Sequence, residues 1–233
     1  MKILVTGANR GLGFFLTKTG LERGHVIFAT VRDVESSNMS DLKALQKEYP
    51  DRLVLIPMDV TDEKKIKQAK QIVEQKTPSL DAIVNNAGIL LGREKTIEQV
   101  DLDECKISMD VNVFGPLLVI KHFSALLRNG KNQAIINISS DAASMTYASP
   151  NDFPYSLSKA ALNMLTIRLQ KYFARGNYLV CAVHPGWMRT DMGGENAPLD
   201  PEDSAKSIYY IIERKIDINN EFFVDYTGKP LPL

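Results

Sequence analysis

Short apolar, β-branched runs alternate with longer stretches of helical period along almost the whole chain. Residues 3–6, 26–31, 53–58, 81–84, 134–138, 179–183 and 222–224 read as strands, about seven in all. Between them, Ser40 caps a helix through Leu42, Leu45 and Tyr49 that stops at Pro50. Thr61 caps another through Ile66, Ala69 and Val73 that stops near Pro78. Several strand runs lack polar alternation, as expected when helices cover both faces of a sheet. The pattern predicts an α/β fold, a doubly wound parallel sheet with helices on both faces that fills residues 1–233 as one unit. The least regular stretch, around 191–203, reads as a surface loop with little helical pattern before Asp203. In such a sheet ligands bind outside the carboxyl ends of the strands, so the loops after the strands are where chemistry is sought.

Composition narrows the partner rather than the fold. The 28 basic and 28 acidic side chains cancel, and 44% of the 233 residues are hydrophobic. Neither a disordered chain nor a strongly basic nucleic-acid binder is expected. Cys105 and Cys181 have no second thiol near them in sequence, and His25, His122 and His184 are too dispersed for a local metal motif. A disulfide scaffold is excluded and no metal is expected. Met1-Lys2-Ile3-Leu4-Val5 runs straight into a glycine turn without a charged leader or an apolar signal region. No uninterrupted apolar run approaches the roughly 18 residues of a membrane span. A soluble, cytoplasmic chain with no membrane partner is the expectation.

The first strand leads into Thr6-Gly7-Ala8-Asn9-Arg10-Gly11-Leu12-Gly13 and then a helical run ending at Gly24. Glycines allow the tight turn and let the backbone approach a pyrophosphate, whose charge is favoured at the exposed N–H groups of a helix start. The second strand ends Ala29-Thr30-Val31-Arg32-Asp33. Arg32 suits a 2′-phosphate, and Arg10 adds a second cation on the same side. Asp33 argues the other way, because an acid there accepts the ribose hydroxyls of NAD. Two arginines against one acid favour NADP(H) over NAD(H).

Tyr155-Ser156-Leu157-Ser158-Lys159 heads a helical pattern running through Leu162, Leu165 and Leu169. Tyr155 and Lys159, four apart, share one helical face. Bringing a phenol from its usual pKa of roughly 10 to near 7 takes roughly 4 kcal/mol of preferential phenolate stabilisation, which a lysine ammonium beside a cationic nicotinamide ring could supply. Upstream, residues 134–138 deliver Ser139 and Ser140 to the end of a strand, where a hydroxyl holds a carbonyl oxygen. The fourth strand ends in Asn85-Asn86-Ala87-Gly88, and Asn112 sits inside an apolar helical pattern where its amide must find hydrogen bonds.

Together these motifs resemble the short-chain dehydrogenase/reductase family over essentially the whole chain. The resemblance rests on Thr6-Gly7 through Gly11-Leu12-Gly13, Asp59-Val60, Asn85-Asn86-Ala87-Gly88, Asn112, Ser140, Tyr155 with Lys159, and Pro185-Gly186. The segments 184–194 and 222–232 are similar to those of sniffer-like carbonyl reductases and of the bacterial C-factor group. The resemblance implies a three-layer Rossmann fold and an oxidoreductase that moves hydride between NAD(P) and a carbonyl. It implies that Tyr155 is the general acid, that Lys159 lowers its pKa and binds the nicotinamide ribose, and that Ser140 rather than Ser139 orients the carbonyl. Asn112 would hold a water linking Lys159 to solvent. Gly7, Asn9, Arg10, Gly11, Leu12, Gly13 and Arg32 would take the phosphates. Asp59 and Val60 would face the adenine, Asn86, Ala87 and Gly88 the adenosine side, and Pro185, Gly186, Met188 and Thr190 the nicotinamide amide and phosphates.

Leu90, Leu91, residues 145–153, Trp187 and Met192 make an apolar inventory for the substrate pocket. A small apolar aldehyde, ketone or quinone is therefore expected, beneath a short and open loop. Two other readings stand beside this one: an NAD-dependent alcohol dehydrogenase, and an NADP-binding sensor like the C-factor group. The presence of Asn112, Ser140, Tyr155 and Lys159 together speaks against a purely non-catalytic role. Family members pair through the helices carrying Asn112 and Tyr155, so a homodimer is expected, with a monomer as the alternative.

Overall fold

The computed structural model describes residues 1–233, the side chain of Ser37 excepted. Its strands are β1 (Lys2–Thr6), β2 (Val26–Val31), β3 (Leu53–Pro57), β4 (Ala82–Asn85), β5 (Ala134–Ile138), β6 (Leu179–His184) and β7 (Phe223–Asp225). All pair in parallel in the order β3-β2-β1-β4-β5-β6-β7. The helices are α1 (Gly11–Glu22), α2 (Ser40–Glu48), α3 (Glu63–Lys76), α4 (Leu102–Met109), α5 (Gly115–Arg128), α6 (Phe153–Tyr172) and α7 (Pro201–Ile212).

Successive side chains of a strand point to opposite faces, and here each face meets its own helical layer. Ile3 and Val5 of β1 pack with Leu12 and Leu16 of α1, Leu42 of α2 and Ile208 of α7, whereas Leu4 packs with Ile66 of α3 and Phe123 of α5. In β2 the same division separates Ile27, Ala29 and Val31 from Phe28. Burial on both sides explains the uninterrupted apolar strands. The order of the strands reverses between β1 and β4, and there the loops that follow them part to opposite faces and leave a crevice.

The helix boundaries differ from the sequence reading at three places. Asp62, not Thr61, caps α3, its Oδ1 accepting from the amides of Lys64 (2.9 Å) and Lys65 (3.2 Å). A carboxylate one residue later reaches the free amides, and Thr61 turns back to Asp59. Ser40 is the first helical residue of α2, with Met39 at the cap and the serine hydroxyl on the Asp41 carboxylate. Helix α7 starts at Pro201, ahead of Asp203, because Asp200 caps it through the Glu202 amide at 2.9 Å and proline suits the first turn. The continuous helical run Leu102–Arg128 is, by length and composition, apolar enough to cross a membrane, and half of its most apolar window is buried inside the protein. Its apolar residues Val119, Ile120, Phe123 and Leu127 lie in the core beside Ile66 and Val73 of α3.

Candidate active site

The floor of the crevice is tied together by polar side chains at the ends of β1 and β4. Thr6 Oγ1 accepts from the amides of Asn86 (3.0 Å) and Ala87 (2.9 Å), and Asn86 Nδ2 donates to the carbonyls of Thr6 (2.9 Å) and Gly7 (3.1 Å). Gly7 has φ +66°, and a Cβ there would press on Ala87 Cα at 3.0 Å. A Cβ on Gly13 would overlap the Gly7 carbonyl oxygen. The helix behind this turn begins without a side-chain cap and without an acid in its first turn, so the first-turn amides of Gly11, Leu12 and Gly13 lack the usual acceptor. Asn9 is half-buried beside them, while the Leu12 side chain joins the core.

Arg10 Nη1 pairs with Asp191 Oδ2 at 2.7 Å, joining the glycine turn to the loop after β6 with both side chains well exposed. Thr190 lies in the same contact, its Cγ2 3.6 Å from where a Gly11 Cβ would be. At the end of β2 Arg32 is exposed, and Asp33 Oδ1 accepts from the Glu35 amide at 2.9 Å, which closes a local turn. Burial works to raise the Asp59 carboxyl pKa, but the amide and hydroxyl of Thr61 and the charges of Lys65 and Arg32 bring it below its ordinary value. Val60 is buried, its side chain packed where α5 starts at Gly115.

Helix α6 buries its polar side. Tyr155, Ser158, Lys159, Asn163 and Thr166 face inward, whereas Leu157, Met164 and Tyr172 are exposed. Lys159 Nζ donates to the Ile138 carbonyl at the end of β5 (2.7 Å) and stands 5.5 Å from the centroid of the Tyr155 ring. Burial pushes the Tyr155 phenol up to about 12, against the pull of the Ser140 hydroxyl; Asp141 and Asp152 raise it further and Arg93 lowers it. Burial alone brings the Lys159 ammonium down to about 8. The lowering of the phenol pKa expected from Lys159 is not found: burial sets the direction, and the shift is upward. Ser139 donates to Asn163 Oδ1 at 2.7 Å and is committed to the core. Ser140 lies beside Tyr155, accepting from the Ala142 amide (3.2 Å) and donating to Asp141 Oδ1 (2.9 Å).

Asn112 sits at the centre of a π-helical turn, Asp110–Phe114, between α4 and α5. Its amide donates to Ser158 Oγ (2.9 Å) and the Ile89 carbonyl (2.9 Å) and accepts from the Ile89 amide (2.9 Å), so it clamps the β4 loop onto α6. Both of its N–H protons are used. Pro116 has no N–H to return to the Asn112 carbonyl, which loses its α-helical donor. Gly88 is flanked by Asn112 and Lys159: a Cβ there would lie 3.3 Å from Asn112 Oδ1 and 3.6 Å from Lys159 Nζ.

The loop after β6 is tied down along its length. The Pro185 carbonyl accepts from Ser204 Oγ (2.7 Å), Gly186 turns with φ +83°, and Met188 bridges to Leu199. Thr190 closes a turn on Gly193 and Gly194, and Arg189 binds the carbonyls of Ala197 and Pro198 and the Asp200 carboxylate. Around the opening, Met145, Tyr147, Trp187 and Met192 are exposed. Asp141 and His184 carried no role in the sequence reading. The available signal was position alone: one follows Ser140 directly and the other ends the next strand.

Residues 1–199 match the family model described as short chain dehydrogenase. The chain belongs to the short-chain dehydrogenase/reductase family. It is an oxidoreductase of that family. An uncharacterised oxidoreductase of Schizosaccharomyces pombe is 30% identical over 98% of this chain and 96% of its own length. Among solved structures, an NADPH-bound carbonyl reductase from chicken fatty liver superposes with a TM-score of 0.92 at 31% identity, covering 100% of this chain and 98% of its own. Carbonyl reductase Sniffer of Drosophila melanogaster has a TM-score of 0.92 at 30% identity, covering 100% and 99%. The Rossmann-like fold and the family expected from the motifs are both confirmed.

Proposed function

We propose that the protein is an NADPH-dependent carbonyl reductase that converts small apolar aldehydes, ketones or quinones to their alcohols. The reading rests on one observation above all: Tyr155, Lys159 and Ser140 converge at the end of β5, beside the glycine turn at the point where the strand order reverses. The uncapped amides at the start of α1 and the turn at Gly7 fit a pyrophosphate. Gly7, Asn9, Gly11, Leu12 and Gly13 would hold it, with Arg10 and Arg32 on the 2′-phosphate. Asp59 and Val60 would take the adenine, and Asn86, Ala87 and Gly88 the adenosine side. Lys159 would take the nicotinamide ribose, and Pro185, Gly186, Met188 and Thr190 the amide and phosphates. When bound, the reduced cofactor supplies a hydride to the carbonyl carbon.

Ser140 orients the carbonyl oxygen and Tyr155 gives that oxygen its proton. Lys159 has two N–H protons left after its bond to Ile138, and the Asn112 carbonyl offers an acceptor for a water that connects the ammonium to solvent. The exposed apolar rim of Met145, Tyr147, Trp187 and Met192 favours substrates without charge, and residues 191–203 form the substrate loop. Asp33 spends one carboxylate oxygen on its own turn, which favours NADP over NAD. Residues 1–233 work as one cofactor-binding and catalytic unit in the cytoplasm. Exposed Leu102 of α4, Phe114 of the π turn that follows it, and Leu157 and Met164 of α6, which packs against α4, support a homodimer.

Arg32→Ala tests the cofactor assignment. A charge-assisted contact to a phosphate is worth about 1.5–3 kcal/mol, so KM for NADPH rises about tenfold or more. KM for NADH stays within about twofold, because NADH has no 2′-phosphate for Arg32 to hold. Equal changes for both cofactors remove Arg32 from the phosphate site.

A further inference from the structure

Arg10 stands between two anionic partners. Its Nη1 donates to Asp191 Oδ2 at 2.7 Å, and the two side chains are 60% and 75% exposed. Asp191 arrives on the loop after β6, a strand that lies three places from β1 on the side away from β2. Thr190 fixes that approach, its Cγ2 3.6 Å from where a Gly11 Cβ would be. The second partner belongs to the other flank. The glycine turn stays bonded to β2 through the Ala8 amide and the Thr30 carbonyl at 3.0 Å, and Arg32, exposed, follows that strand at the place assigned to a 2′-phosphate. An Arg10 guanidinium turned to Asp191 is turned away from the end of β2.

The loop itself does not depend on this pair. Arg93 Nη2, from the loop after β4, donates to the Met192 carbonyl at 2.9 Å, and Thr190 accepts from the Gly193 and Gly194 amides. Arg189 is bound to Asp200. Releasing Arg10 from Asp191 therefore frees one side chain and leaves the loop in place.

We propose that Asp191 is a specificity-determining residue for the cofactor: its carboxylate competes with the 2′-phosphate for Arg10 and so reduces the preference for NADPH over NADH. To reach the phosphate, Arg10 gives up a charge-assisted hydrogen bond. NADH makes no such demand, because it has no 2′-phosphate. Both side chains stand in water, so the competition amounts to the few-fold effect of an exposed ion pair. The pyrophosphate is common to both cofactors and cancels from the comparison. This inference rests on the reading of the cofactor as NADPH with Arg10 at its 2′-phosphate.

The test is titration of the full chain with NADPH and with NADH, for wild type, Asp191→Asn, Arg10→Ala and the double variant, reading dissociation constants rather than turnover. Both positions are exposed, so the substitutions leave the core intact. Asparagine keeps an acceptor oxygen and removes the charge. In Asp191→Asn, NADPH is expected to bind about twofold to fivefold more tightly, with NADH within about 1.5-fold of wild type. In the Arg10→Ala background the same substitution changes NADPH binding by less than about 1.5-fold, because the contested group is gone. NADPH binding that is unchanged or weaker in Asp191→Asn overturns the proposal. So does equal tightening for both cofactors, or an effect that persists without Arg10. A wild type that shows no preference for NADPH over NADH refutes the cofactor reading on which the proposal rests.

Discussion

Burial of the Lys159 ammonium lowers its pKa from 10.5 to about 8, which at neutral pH costs the fold about 3 kcal/mol. Lys159→Met removes that charge and leaves the Ile138 carbonyl unpaired, at a cost of about 1 kcal/mol. The variant is therefore expected to be about 2 kcal/mol more stable at pH 7 and to lose reductase activity at least about a hundredfold. The folded pKa lies below the unfolded one, so this contribution improves in wild type as pH rises from about 8 toward 10.5, and the methionine variant lacks that rise. Denaturant unfolding at neutral and alkaline pH checks both points; a less stable variant contradicts them. Tyr155 and Lys159 were legible in the sequence because a spacing of four puts both on one helical face and because the glycine turn, Asn112 and Ser140 accompany them on the other elements of the same α/β pattern. Asp141 was not, because its contacts run to an adjacent hydroxyl and to a histidine on another strand.

The strands were read to within a residue or so, since an apolar run covered on both faces leaves little freedom in where it starts and stops. Helix α6 was harder. Its pattern of Leu162, Leu165 and Leu169 suggested an ordinary apolar face, yet Ser158, Asn163 and Thr166 are fully buried and bonded to Asn112, Ser139 and Asn137. A periodicity of apolar residues does not reveal a helix whose inner side serves a polar site. The partners of Asn112 in the π turn were likewise hidden, because Ile89 reaches its amide from another loop. In the glycine turn the constraint is backbone against backbone. Gly13→Ala forces a methyl into the Gly7 carbonyl and is expected to cost about 2 kcal/mol or more, with NADPH affinity lost. Thermal unfolding and NADPH titration check this outcome; unchanged values for both would mean that the turn relaxes freely.

At the scale of the molecule, zero net charge conceals an uneven distribution: Arg10 and Arg32 flank the crevice, and Asp191 on the facing loop neutralises one of them. Leu102 of α4, Phe114 of the π turn after it, and Leu157 and Met164 of α6 are exposed, and a hollow of about 360 Å³ lined by Leu102, Cys105, Met109 and Phe114 lies on the α4 side rather than at the catalytic residues. Light scattering is expected to give a dimer for wild type and a monomer for Leu157→Glu with Met164→Glu; a monomeric wild type contradicts the pairing. The central claim is proton donation by Tyr155 to a carbonyl oxygen during reduction by NADPH. Its most direct test is single-turnover NADPH oxidation with an apolar diketone or quinone, comparing wild type with Tyr155→Phe while NADPH binding is measured on the same samples. The account predicts a rate lowered by about a thousandfold or more with NADPH affinity within about threefold of wild type. A Tyr155→Phe protein that reduces the carbonyl at close to the wild-type rate would contradict it.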